Sequence, residues 1–226
     1  MDVDTDRGTA IADASACLAA GALALVPTET VYGVGVAVSA FAGTDELPSE
    51  GSGYRRIFSL KQRDLAQTVP WLVDGLAALA RYGREVPDAA MALAEEFWPG
   101  ALTIVVKAAP DVPAFMQAAD GTVALRASAC EVIQRLIAAL DSPLAVTSAN
   151  THGRPAPASF AEAEPRIVEG VDIAFDAGAT TCREASTIVS CENGEVTLLR
   201  EGAISEEDLA CTLAKCHIDT PIRKGC

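Results

Sequence analysis

Aromatic residues are scarce in this chain. They make up 5% of its 226 residues, so alanine, valine and leucine must supply most of the packing. Basic residues are few as well: 17 Lys and Arg stand against 31 Asp and Glu, a formal net charge of −14, and no basic run exceeds the Arg55-Arg56 pair. A surface that grips nucleic acid tightly is usually basic, because it must displace phosphate counterions. The balance therefore argues against a general RNA- or DNA-binding face. It leaves room for a few cations converging on a small anion. Paired cysteines are also missing. Cys17, Cys130, Cys182, Cys191, Cys211, Cys216 and Cys226 form no C-x-x-C pair. An odd count at irregular spacing fits reduced thiols better than a disulfide framework. Cys211, Cys216 and His217 have no second ligand pair at zinc spacing, so no metal site is expected. The longest apolar run, Ala16 to Val26, falls short of the roughly 18 residues that span a bilayer. The first six residues are acidic where a signal peptide is basic. These absences predict a cytoplasmic protein without membrane contact.

What is present alternates between strand-like and helix-like segments. Residues 9–20 are alanine-rich and helix-forming, with Gly21 as a C-terminal cap. Residues 22–27 read as a buried strand, and 41–54, rich in Gly, Ser, Asp and Glu, as a surface loop. A helical pattern covers 86–97 and stops before Pro99-Gly100. Residues 101–107 are β-branched and strand-like, as are 122–126 and 143–147. Between these last two, Ile133, Leu136, Ile137 and Leu140 recur at i, i+3, i+4 and i+7, one face of an amphipathic helix. Residues 159–169 read as helix and 171–175 as strand. Glu192-Asn193-Gly194 between two β-rich runs, 186–190 and 195–200, is a hairpin signal. Ser205 with Asp208 looks like a capping box opening a last helix. The alternation predicts an α/β fold of three layers, a mixed sheet flanked by helices, in one domain over residues 1–226.

The most informative stretch is Pro27-Thr28-Glu29-Thr30-Val31-Tyr32-Gly33-Val34-Gly35. A strand that runs into hydroxyls and glycines suits a polar ligand cradle, since glycine lets the backbone approach a ligand or adopt positive φ. The segment resembles the PTETVYGLG signature of the YrdC family, the threonylcarbamoyl-AMP synthases. Six further segments are similar to that family in order and rough spacing. They are Ile57 to Arg63, Phe97 to Thr103, Thr122 to Arg126, Pro143 to Asn150, Ser186 to Val189, and Leu198 to Gly202. The resemblance in order and spacing runs from about residue 9 to 204. The resemblance implies a twisted mixed sheet flanked by helices, in the short form without an extra C-terminal domain.

It also implies a reaction. Threonine captures carbon dioxide or bicarbonate, and the resulting carbamate oxygen attacks the α-phosphate of ATP. The products are threonylcarbamoyl-AMP and pyrophosphate, with magnesium accompanying the ATP. Downstream transfer proteins then use the product in tRNA modification, and any direct tRNA contact of this chain is expected to be weak. Such chemistry needs cations and donors where negative charge collects more than it needs acid–base side chains. Lys61 and Arg63 are the catalytic candidates. Two apart, they would point the same way from an extended segment and grip the triphosphate. Arg126, ending an apolar strand, Ser148 and Asn150, following another, and Arg200 are the remaining ATP-binding candidates. Thr28 and Ser186 match the positions implied for threonine. Two departures from the family pattern fall beside this set: Asp64 where the family has proline, and Ala127-Ser128-Ala129-Cys130 where it shows a proline and a nearby histidine. The competing reading is a divergent paralogue, acting as a nucleotide- or RNA-binding module or on another carbamoyl substrate.

Overall fold

A computed structural model describes residues 7–225 of the chain, and side chains from residue 10 onward. The acidic first six residues and Cys226 lie outside the described part. Among the described residues, ten strands form one mixed sheet: β1 (Ala24–Val26), β2 (Gly33–Ala37), β3 (Trp71–Val73), β4 (Leu102–Lys107), β5 (Thr122–Ala127), β6 (Leu144–Ser148), β7 (Ile173–Ala174), β8 (Thr187–Glu192), β9 (Glu195–Arg200) and β10 (Ile222–Lys224). Their spatial order is β10-β9-β8-β4-β5-β3-β6-β2-β1-β7. Among the described residues, seven α-helices accompany them: α1 (Arg7–Ala19), α2 (Gly53–Lys61), α3 (Ala77–Tyr82), α4 (Asp88–Phe97), α5 (Glu131–Leu140), α6 (Pro165–Gly170) and α7 (Glu206–Lys215).

Alternation along the strands separates two cores, as the strand period of two requires. Leu23 and Leu25, Val34 and Val36, Trp71 and Val73, Ile104, Leu125 and Ala145 join a large core with residues of α2, α3, α4, α6 and α7. Their neighbours Ala24, Val26, Ala37, Leu72, Leu144 and Val146 join a smaller core under α1 and α5. The amphipathic face of α5 is buried there through Ile133, Leu136 and Ile137. This is the expected three-layer arrangement. The two helices cover only part of their face. Beyond them, Thr103 and Val105 of β4, Ala124 and Arg126 of β5, and Ile188 of β8 line an open cavity instead.

Several local expectations hold for the physical reason given. Gly21 stands at φ +90° behind α1. Asn193 and Gly194, at φ 52° and 75°, supply the two left-handed residues of a tight hairpin turn between β8 and β9. Ser205 accepts from the Asp208 N–H while Asp208 accepts from the Ser205 N–H, completing the capping box of α7.

Others are corrected. Lys61 and Arg63 do not lie on an extended segment. Ser52 caps α2 by accepting from the Arg55 N–H, and Tyr54, Ile57, Phe58 and Lys61 are buried along one helical face. Lys61 is the last helical residue; Gln62 at φ 51° ends the helix, and Arg63 leaves in a new direction. Gly33 and Gly35 do not adopt positive φ, although Gly33 does line the cavity. They lie in β2, every residue of which is buried. In the neighbouring β6 a Val146 methyl at Gly33, and the Ala145 carbonyl oxygen together with Val146 at Gly35, fill the space a side chain would need. The expected helix 159–169 is broken: a single 3₁₀ turn at Phe160–Glu162 precedes α6. Pro165 occupies the first position of α6 and keeps Glu164 before it extended.

Candidate functional site

The cavity holds about 510 Å³, within the range that takes a nucleotide-sized ligand. Seven of the eight residues singled out from the sequence line it: Thr28, Arg63, Arg126, Ser148, Asn150, Ser186 and Arg200. They come from six separate segments of the chain, brought together by the strand order. Arg154, Thr30 and Thr68 also line it. None of the three was singled out from the sequence. Arg154 follows a glycine-containing turn after a strand, a weak signal by itself. No Asp or Glu is among the lining residues. In a chain of net charge −14, four arginines therefore face one acid-free cavity. No residue of the 41–54 loop reaches it.

Arg63, Arg126 and Arg200 are each held by neutral or acidic partners. Arg63 donates to the Thr147 hydroxyl at 2.9 Å and to the Thr68 carbonyl at 2.5 Å, leaving its buried Nε without a partner among the described residues. Arg126, 6% exposed, donates Nε to the Gly100 carbonyl at 3.0 Å and Nη2 to Glu29 at 2.5 Å. Arg200 wraps the Ser186 carbonyl through Nε and Nη2, at 3.0 and 2.7 Å. The Ser186 hydroxyl in turn lies 2.9 Å from that of Thr103. Burial, with the Arg126 charge behind it, lowers the Arg200 pKa. The two guanidiniums thus feel each other across the site.

Lys61 is placed differently. It is 2% exposed and does not line the cavity. Its ammonium donates to the Ser148 carbonyl and, at 2.8 Å, to the Asn150 carbonyl. The Lys61 carbonyl accepts from His152 N–H at 2.8 Å. Asn150 spends its amide on the Thr151 and Arg154 carbonyls, at 3.0 and 2.6 Å. The turn 148–154, which carries Ser148 and Arg154 into the cavity, is therefore tied to the end of α2. Thr28 is likewise occupied: its hydroxyl accepts from the N–H groups of Thr30 and Val31 and donates to the Val31 carbonyl at 2.6 Å, shaping the turn after β1. Asp64 is exposed and caps its own turn through the Ala66 N–H at 2.9 Å, away from the lining.

Burial, with Arg63 nearby, pushes the Lys61 pKa down from 10.5 to about 8. The unfolded chain then holds this proton more tightly than the folded one. The ammonium opposes folding below pH 8, and that opposition is relieved as pH rises towards 10.5. Deprotonation also removes the charge that strengthens its bonds to the 148 and 150 carbonyls. Ligand binding in the cavity is therefore expected to weaken with a midpoint near pH 8, without a parallel loss of unfolding free energy. Side-chain NMR of the lysines, read beside binding and denaturation at each pH, checks this. A Lys61 signal that titrates with the other lysines would contradict it.

Among the described residues, no group of three or more His, Cys, Asp or Glu is placed to hold a metal ion. Six cysteines are free thiols there, with Cys191 buried. Among the described residues, no helix is long and apolar enough to cross a membrane.

Comparison with known proteins places these features in context. Residues 16–202 match the Sua5/YciO/YrdC family model, described as telomere recombination. A Mycobacterium tuberculosis relative, provisionally named a threonylcarbamoyl-AMP synthase, is 33% identical over 204 residues, which cover 90% of this chain and 89% of that one. The threonylcarbamoyl-AMP synthase of Pseudoalteromonas translucida is 30% identical over 194 residues, covering 85% and 98%. Among solved structures, Sua5 of Pyrococcus abyssi complexed with L-threonine superposes with a TM-score of 0.82 at 28% identity. That match covers 95% of this chain and 58% of the archaeal one, so the chain spans little more than half of that longer relative.

Proposed function

This chain belongs to the Sua5/YciO/YrdC family, and from that premise we propose that it is a threonylcarbamoyl-AMP synthase, built as one domain over its whole length. The observation that carries the reading is the acid-free cavity faced by Arg63, Arg126, Arg154 and Arg200. The reaction has three anionic participants and releases a fourth. The threonine nitrogen bonds to the carbon of bicarbonate, and water leaves. The carbamate oxygen then bonds to the α-phosphorus of ATP as the bond to the β-phosphate bridge breaks, and pyrophosphate departs with that electron pair. Fixed guanidiniums lower the barrier by neutralising the charge that gathers on the phosphoryl oxygens and by holding the two anions in line.

In this reading Arg63, Arg126 and Arg200, with Ser148, hold the nucleotide phosphates. Lys61 and Asn150 act through the turn that carries Ser148. Thr28 and Ser186 bound the threonine pocket. Magnesium enters with the nucleotide, because the lining offers no carboxylate to hold a divalent ion. The product is a mixed anhydride, a reactive acyl donor for the downstream proteins that modify tRNA. A cavity, rather than a basic surface, favours a small anion over structured RNA as the ligand.

The test is pyrophosphate release from ATP and bicarbonate with each amino acid in turn. Threonine is expected to be turned over well above 2-aminobutyrate and valine, and Thr28→Val, which removes the hydroxyl that shapes the turn after β1, to narrow that preference. A site built around a substrate hydroxyl leaves its own polar groups unpaired when an analogue lacks it. Equal rates with the three amino acids would remove threonine from the assignment, and absence of pyrophosphate would remove the activity.

A further inference from the structure

Glu29 sits in the middle of the signature segment, yet it does not line the cavity. Its side chain is 10% exposed and forms an ion pair with Arg126, itself 7% exposed, at 2.5 Å. The second carboxylate oxygen accepts from the Ser128 hydroxyl. Its backbone carbonyl accepts from Cys182 N–H at 2.8 Å and from the Thr181 hydroxyl at 3.2 Å. Burial works to raise the Glu29 carboxyl, but the Arg126 charge and the bonds from Ser128 and Arg126 outweigh it and hold the group below the usual carboxylate range. It is thus an anion fixed directly behind a cavity arginine.

Two consequences follow from the geometry. Arg126 has Nε pinned by Gly100 and Nη2 pinned by Glu29, so its planar head can turn only one edge toward the ligand. The carboxylate also offsets one of the four cationic charges around the cavity. We infer that Glu29 is a positioning residue for Arg126 and a charge counterweight that limits how tightly the cavity holds anions, pyrophosphate in particular. Four uncompensated arginines would bind the leaving anion strongly and slow its departure. With Glu29 ionised, the cavity aims a guanidinium at its ligand while carrying less net positive charge.

The inference rests on the proposed activity for its meaning. Its test reads binding directly, so the two fail separately. Calorimetry with inorganic pyrophosphate is run on the wild-type chain, on Glu29→Gln and on Glu29→Gln/Arg126→Met. The glutamine keeps the shape of the side chain and removes its charge. Glu29→Gln is expected to bind pyrophosphate about five-fold or more tightly, since a unit charge several ångströms from the ligand acts through a partly screened medium. Its turnover is expected to fall, because Arg126 loses its fixed aim. The double variant is expected to lose the gain in affinity. Glu29→Asp supplies a second reading. It keeps the charge and withdraws it by one methylene, so turnover falls while pyrophosphate affinity stays within two-fold. Unchanged or weaker pyrophosphate binding in Glu29→Gln would overturn the counterweight. Unchanged turnover in Glu29→Asp would overturn the positioning. If wild-type protein releases no pyrophosphate from ATP while the affinity changes appear as described, the activity fails and the counterweight stands.

Discussion

Lys61→Ala is expected to lower the unfolding free energy by about 3–5 kcal/mol and to abolish most nucleotide turnover. The first effect follows from what the ammonium holds. Truncation leaves the Asn150 carbonyl without its donor and the Ser148 carbonyl with the Asn150 N–H alone, and an unsatisfied buried acceptor costs roughly 1–3 kcal/mol. The buried stem is lost as well. Against a typical total stability of about 5–15 kcal/mol this is a large fraction. The second effect follows from the turn: with 148–154 released, Ser148 and Arg154 no longer hold their places on the cavity wall. Arg63→Ala makes the contrast. Arg63 lines the cavity, and a charged hydrogen bond contributes about 1.5–3 kcal/mol, so a ten-fold or greater loss of ATP affinity is expected with a smaller loss of stability. Denaturant unfolding and ATP calorimetry on both variants decide the matter. A Lys61→Ala protein as stable as wild type that has lost ATP binding would mean that the ammonium reaches the ligand directly.

Gly35→Ala is expected to be the more damaging of two glycine substitutions in β2. A Cβ at Gly35 would stand 2.3 Å from the Ala145 carbonyl oxygen and 2.9 Å from the Val146 Cα, both backbone atoms of the paired strand. At Gly33 the nearest atom, at 2.4 Å, is a Val146 methyl, and the nearest backbone atom is 3.1 Å away. Overpacking of this kind typically costs about 1–3 kcal/mol, and more where backbone must move. The strand that would be displaced is β6, which ends in Ser148, so activity should fall with stability. Val146→Ala should rescue Gly33→Ala and leave Gly35→Ala largely unrescued, as read from thermal midpoints. Equal rescue of both would show that the obstacle is the Val146 side chain in each case.

Most of the architecture was legible because local signals and the global fold agree. The 3.6 period of α5, the Asn193-Gly194 turn and the Ser205–Asp208 box each specify one conformation with little help from distant residues. The failures have a common cause. In β2 the glycines carry no strand propensity, and the reason for them is β6, more than a hundred residues away: the Val146 side chain at Gly33 and the Ala145 carbonyl at Gly35. Read alone, Gly33 and Gly35 look like a loop. The α2 segment did contain its signal, Ser52 followed by Tyr54, Ile57, Phe58 and Lys61 at helical spacing. That period also hides the ammonium of Lys61, which a reading of Lys61 and Arg63 as a matched pair could not show. Seven of the eight candidate side chains line the cavity because motif resemblance carries positions that propensity does not. Glu29 was in view throughout. Its relation to Arg126 depends on where β5 lies relative to the turn after β1, which no local pattern encodes.

The strand order has a consequence for how the chain comes to be folded. The wall of the cavity needs Thr28 from near the start of the chain and Arg200 from near its end. The bond between Thr181 and Glu29 closes a separation of 152 residues, and Arg126 with Glu29 one of 97. Pairings this distant in sequence repay their loop-closure entropy late, after local helices and the β8–β9 hairpin can already exist. During synthesis the first strands emerge with their hydroxyl-rich turn long before the partners that shape it. The arginine-lined cavity is therefore among the last parts of the molecule to be assembled, and a nascent chain stopped short of β9 has much of its sheet but no complete cavity wall.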